Sequence, residues 1–411
     1  MKRIALLAAL AAVAMTASPL LAAEKQPPKQ SEKQYDQGAT DTEIKIGQTL
    51  PWSGPASAYS VEGMVQRAYF DRTNRQGGVN GRKINFISLD DAYSPPKTVE
   101  QTRKLVEQEG VLAMFAAIGT APNIAVHKYL NNKKVPQILI LTGASRWNDP
   151  KNFPWTMAFY PLYDMEGMIF ARHALQAWPN GKIAILSQND DAGRDYVRGF
   201  KEGLGDKGKA MVVAEATYEV TDPTVDSQIV KLKNSGADVF FLMATPKFGA
   251  QALKKAHEVA WKPKTLLVSV ASSIGGVLKP AGLEASQGVI TTATFKTALD
   301  PAWDNAPDMK EYIAFMKESG LEKYITDRSA SLGYVSAALM ERILQRCGDN
   351  LTRANIMKQV SSLHDSDLPL LLPGVTVKTT PDNLSPFGAM RLQRFEGEGW
   401  VLFGEAISAQ H

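Results

Sequence analysis

The 411-residue chain is almost without cysteine: Cys347 stands alone, which excludes an intramolecular disulfide and a cysteine-built zinc cluster. Such scarcity suits a compartment where disulfides form and stray thiols are a hazard. Charge of one sign is lacking too. Forty-six Lys and Arg against 42 Asp and Glu leave a formal charge of +4, too small and too scattered for a nucleic-acid or polybasic membrane partner. There is no G-x-S-x-G elbow, no H-E-x-x-H pair and no P-loop. After the first residues no apolar run is long enough to span a bilayer. Hydrophobic residues at 44% and charged residues at 21% exclude a disordered chain, a coiled coil and a collagen-like repeat.

What is present begins with a cationic Met1-Lys2-Arg3, an apolar run from Ile4 to Leu21 and small residues at Ala22 and Ala23. That layout predicts a secretory signal peptide over residues 1–23, cleaved after Ala23. A membrane anchor is the competing reading, but Ser18-Pro19 breaks a run already at the lower limit for spanning. Residues 24–41 are mostly Gln, Lys, Pro and Glu with Tyr35 as the bulky exception, and predict a flexible leader.

From Ile44 onward short apolar runs alternate with amphipathic segments. Strands are expected at 44–50, 84–89, 111–117 and 135–141, with a helix over 61–74 stopped by Gly77-Gly78. The rhythm restarts after Tyr160, with strands at 182–187, 211–218, 237–244 and 265–271. The spacing of strand starts is that of βαβ crossovers, so two α/β lobes with parallel, doubly wound sheets are expected. Long helices at 308–319 and 327–347 and a strand region at 390–405 complete those lobes rather than form a third domain. In such sheets ligands collect at the loops after the strands.

Several motifs have plain structural readings. Gly203-Leu-Gly205-Asp-Lys-Gly208 matches a dinucleotide pattern but follows a helix, so it reads as a helix stop. His127, His173 and His257 fall within helical stretches and read as packing or surface residues. Asp90-Asp91 and Asp190-Asp191 follow strands. They suit caps and turns, with an exported hydrolase using Asp90 or Asp191 as the alternative. Gly119-Thr120 and Thr142-Gly143-Ala144-Ser145 instead place small hydroxyl residues and free N–H groups at helix starts, a pattern that binds a carboxylate. Trp52, Tyr59, Trp147, Tyr160 and Tyr163 crowd the same region and suit an apolar ligand group.

Ile44-Lys-Ile-Gly47, Ser53-Gly-Pro-Ala56, Asn74-Arg-Gln-Gly-Gly-Val-Asn-Gly81, Leu89-Asp-Asp91, Lys133-Lys-Val-Pro136 and Thr142–Ser145, in that order, resemble the leucine/isoleucine/valine-type periplasmic binding proteins of ABC transporters. The resemblance runs from about residue 42 to 405. It implies the type I periplasmic-binding fold: an α/β protein whose two lobes, 42–161 plus 295–382 and 162–294 plus 383–408, are joined by a three-segment hinge. It further implies a periplasmic monomer without cofactor, metal or catalytic residues. The implied role is to close over a small carboxylate and deliver it to a membrane permease. Thr120, Gly143, Ala144 and Ser145 would hold the carboxylate, Tyr59, Trp52 and Tyr160 the apolar part, and Ala192, Thr245 and Ser272 would close from the second lobe, with Asp191 or the Asp90-Asp91 pair standing in for an acid that faces an ammonium. Amino-acid binders of this type often carry an aromatic residue where Ala192 stands and an acidic one near Ala271–Ser273. Neither is here, which leaves room for an aromatic or other apolar acid. A ligand-sensing module serving a separate receptor is the remaining alternative.

Overall fold

The strand Glu43–Leu50 (β1) owes its place to Ile44, Ile46 and Leu50, all buried; β-branched and aliphatic residues fit a sheet covered on both faces. The computed structural model describes residues 33–408. The expected signal peptide and the leader up to residue 32 therefore lie outside the described residues. On one side β1 pairs in parallel with Lys83–Asp90 (β2), in register from Glu43 opposite Lys83 to Leu50 opposite Asp90. On its other side follow Ala113–Phe115 (β3), Gln137–Ile140 (β4) and Thr156–Ala158 (β5), giving the order β2-β1-β3-β4-β5.

A second sheet contains Ile183–Gln188 (β6), Val212–Tyr218 (β7), Val239–Leu242 (β8), Lys264–Leu267 (β9), Ile290–Ala293 (β10), Ala389–Glu396 (β11) and Gly399–Ser408 (β12). Its order is β12-β11-β10-β9-β8-β6-β7. The pairs from β7 to β10 are parallel as expected, but β11 and β12 are added antiparallel. The tight Gly397 turn, with φ of 61°, makes β12 run back along β11.

Helices that position the site are Ser60–Arg75 (α1), Thr120–Asn132 (α2), Tyr163–Ala177 (α3), Asp191–Lys209 (α4), Pro246–Glu258 (α5), Pro307–Glu318 (α6) and Arg328–Cys347 (α7). Helix α7 returns to the first sheet and packs on α1, where the rings of Tyr69 and Tyr334 meet edge-on at 5.2 Å. Beneath them Phe70, Phe86 and Phe115 form an edge-to-face trio with centroids 5.3–5.9 Å apart, a favourable ring geometry.

The last part of the expected leader is not free chain. Gln34–Tyr35 pairs in parallel with Asn350–Leu351. Arg82 donates both to the Tyr35 hydroxyl and to Asp349, each at 2.6 Å. Tyr35, the one bulky residue in the segment, docks it. The glycine run ends α4, and Gly205 breaks the helix there with φ of 62°.

Candidate ligand-binding site

In both sheets the chain reverses its winding next to the first strand: β1 has β2 on one side and β3 on the other, and β6 has β7 and β8. Such switch points open a crevice at the strand C-termini. Tyr59, Gly119 and Thr120 leave the first crevice, and Gln188, Ala192, Met243 and Thr245 leave the second. All of them line one cavity. Gly119 shows how closely its floor is packed. Its φ is 94°, and a side-chain carbon there would come within 2.5 Å of the Tyr93 ring, so only glycine fits.

The cavity draws its lining from the first turns of six helices. Glu62 belongs to α1, Thr120 to α2, Tyr163 to α3 and Ala192 to α4; Thr245 caps α5, and Arg328 opens α7. Helix starts carry positive partial charge, which favours an anion, although Asp190 and Asp327 already accept from Gly193 N and Ser329 N at the starts of α4 and α7.

Besides its tyrosines, two ionisable side chains reach the cavity. Arg328 makes no hydrogen bond or ion pair among the described residues, and its guanidinium lies 4.8 Å from the centre of the Tyr160 ring. Burial opposes its charge, but Tyr160, Glu166 and Glu62 outweigh that and raise its pKa. Tyr160 is itself held: its hydroxyl meets Ser269 Oγ at 3.0 Å, and Ser269 Oγ donates to Glu166 at 2.9 Å. Glu166 is fully buried yet fully answered, accepting also from Ser269 N, Tyr196 OH and Thr292 Oγ1 at 2.7–2.8 Å. The second, Glu62, is 3% exposed with Oε2 unpartnered. Burial pushes its carboxyl up to about 8, against the opposing influence of Arg328 and Ser329.

Of the eleven residues expected to touch ligand, the structure brings five to the cavity: Tyr59, Thr120, Tyr160, Ala192 and Thr245. Six lie elsewhere. Trp52 turns its indole to Ser88 at 2.9 Å. Gly143 is followed by a short 3-10 turn rather than a helix, and Pro161 and Tyr163 fill the space beside it. Ala144 is buried behind Thr142. The Ser145 N–H and hydroxyl are taken up by Asp195, at 2.7 and 3.1 Å. Asp191 pairs with Arg146 and Arg194 at the surface. Ser272 donates to the Ser269 carbonyl at 2.8 Å.

The Ser145 and Arg146 contacts form a polar rim joining the loop after β4 to α4, with Arg198 bridging Asp195 and Asp164 at 2.5 and 2.8 Å. Asp90 is an anchor of the loop after β1. Burial works against its charge, but donors from Ser53, Lys97 and Ala92 lower its pKa well below the usual range. Neither Asp90 nor Asp191 lines the cavity. Asp190 caps α4 through Gly193 N. His127 stacks on Phe153 and is lowered to about 4 by burial, and burial raises Cys347 to about 12. Among the described residues no group of three His, Cys, Asp or Glu is set to hold a metal, and no helix is long and apolar enough to cross a membrane.

Glu62 and Arg328 escaped sequence reasoning. Glu62 sits in a first helical turn, where an acid looks like an ordinary partner of the helix dipole. Arg328 carried a signal: a cation in the first turn of α7 opposes that dipole, which asks for another reason to be there.

Comparison with known proteins gives a consistent result. The model of the family described as periplasmic binding protein matches residues 43–399. Leu/Ile/Val-binding protein homolog 7 of Brucella abortus is 23% identical over 261 residues, covering 61% of this chain and 64% of that relative's length. A branched chain amino acid ABC transporter protein from Thermus thermophilus, solved with bound valine, aligns with a TM-score of 0.79 at 15% identity, over 89% of this chain and 97% of that one. A solute binding protein from R. palustris, solved with benzoate, aligns with a TM-score of 0.74 at 18% identity, over 89% and 98%. At these identities the two solved structures establish the shared fold.

Proposed function

We propose, for a chain that belongs to the periplasmic binding protein family, that the cavity captures a small apolar carboxylate for delivery to a membrane ABC permease. The observation that carries this reading is Arg328, a guanidinium without an ionic partner among the described residues, in a cavity otherwise walled largely by tyrosines and aliphatic side chains. Six converging helix starts add to the same preference for an anion. Tyr59, Tyr93, Tyr160 and Tyr163 line it with rings that suit a branched aliphatic or aromatic body. Valine and benzoate, held by two proteins of the same fold, mark the two ends of that range.

Thr120 offers its backbone N–H to the carboxylate; its hydroxyl is engaged with Thr142 at 2.6 Å. Ala192 and Thr245 approach from the second sheet. Lobes 42–161 plus 295–382 and 162–294 plus 383–408 close about the three stretches that link them. The Ser145–Asp195 rim is a contact of the closed form, which ligand stabilises by its extra affinity for that form. The protein works as an exported monomer.

A thermal-shift panel of branched-chain amino acids, aromatic acids, short aliphatic acids, sugars and amines tests the reading. An acid at 100 times its Kd should stabilise the fold by about 2.7 kcal/mol, and small-angle scattering should show compaction. Stabilisation by sugars or amines alone would sink the carboxylate, and an unchanged scattering profile with a bound acid would sink closure.

A further inference from the structure

Two buried glutamates flank the Arg328–Tyr160 contact, and they are treated in opposite ways. Glu166 receives four hydrogen bonds. Glu62, equally withdrawn from solvent, lines the cavity with Oε2 unanswered. Leaving a buried polar group without a partner costs about 1–3 kcal/mol, and folded chains rarely do so without a reason. Nor can Glu62 readily back away. It lies in the first turn of α1, and α7 presses so close that a side-chain carbon on Gly333 would come within 2.7 Å of the Glu62 carbonyl oxygen. Arg328 is near enough to influence it electrostatically, yet the two make no ion pair among the described residues.

We propose that Glu62 is the specificity-determining residue of the cavity, accepting a hydrogen bond from a donor group on the ligand while the ligand's carboxylate faces Arg328. The inference rests on the carboxylate reading above and narrows it: the ligand is an apolar acid with a second polar group, a hydroxyl or an ammonium, instead of a plain hydrocarbon acid. Such an acid would fill both polar sites and leave its body among the tyrosines. A donorless acid would leave Glu62 dry and unpaired, the situation in which hydrogen-bonding sites discriminate most strongly.

The experiment is isothermal titration of the full chain and of the Glu62→Gln and Glu62→Met variants, each first shown to be folded by its melting curve. The probes are paired acids: benzoate against 2-, 3- and 4-hydroxybenzoate, and 4-methylpentanoate against leucine. In the native chain at least one donor-bearing acid should bind about tenfold or more tightly than its donorless partner. With methionine at position 62 that ratio should collapse to within about threefold of unity, and with glutamine, which still accepts, part of it should return. A preference in the benzoate set identifies a hydroxyl, and one in the leucine pair an ammonium. Acids that bind without any such preference, or with one that survives in Glu62→Met, overturn the role of Glu62 and leave the carboxylate reading standing. No binding by any acid overturns both.

Discussion

The wall of the cavity built on the first sheet and α7 carries Tyr59, Glu62, Thr120, Tyr160 and Arg328, whereas the wall built on the second sheet offers Gln188, Ala192, Met243, Thr245 and Val270. Tyrosines apart, one wall holds the two ionisable side chains. The other is neutral, and its one amide is already engaged: Gln188 donates to Asp190 at 2.6 Å and accepts from Tyr218 at 3.1 Å. The difference assigns separate tasks. On the proposed function, recognition chemistry would fall to the wall with Arg328 and Glu62, and the facing wall would supply fit. Polar contacts between the two sides lie at the rim, where Ser145 and Arg146 meet Asp195 and Asp191, and deeper in, where Tyr59 OH donates to the Val270 carbonyl at 3.4 Å and Tyr160 OH meets Ser269 Oγ at 3.0 Å.

The sharpest way to break that comparison is Arg328→Met. Losing a charge-assisted contact should weaken acid binding about 100-fold or more by calorimetry. A loss under threefold would mean the charged wall does not lead. Next is Glu62→Gln, read as stability against pH. The Glu62 carboxyl is raised from 4.5 to about 8 in the fold, so between those values the native state holds the proton more tightly than the unfolded state. Stability should therefore fall as pH rises through that window. In urea titrations the variant should exceed the native chain by about 4 kcal/mol near pH 8, with the difference gone near pH 4.

A smaller effect is expected at the rim. Asp195→Ala removes the acceptor of Ser145 and Arg198 and should cost about 1 kcal/mol, roughly fivefold in affinity. It should appear mainly as faster dissociation in stopped-flow traces. Smallest is Thr245→Val on the neutral wall. The Thr245 hydroxyl is buried without a partner, so affinity should change by less than about threefold and the melting temperature should hold or rise. A large loss there would give the second wall a recognition role and undo the division.

The alternating framework was legible because β-branched runs and amphipathic stretches are local signals. The expected strand at 44–50 appears as Glu43–Leu50, and the expected helix at 61–74 as Ser60–Arg75. The antiparallel β11–β12 hairpin was less legible, since strand direction depends on the turn that joins the pair. At the site, Tyr59, Thr120 and Ala192 were readable because they follow strands at the switch points. Ser145 follows a strand too, but Asp195, 50 residues on, claims it, and no local pattern announces such a partner. Arg328 and Glu62 are brought together only by the packing of α7 on α1, a contact between segments more than 260 residues apart.

The six helix starts around the cavity have one more consequence. Their polarity is a property of the main chain, so it neither titrates nor disappears when side chains are exchanged. Redesign of the tyrosine lining would reshape the pocket while leaving that main-chain contribution in place.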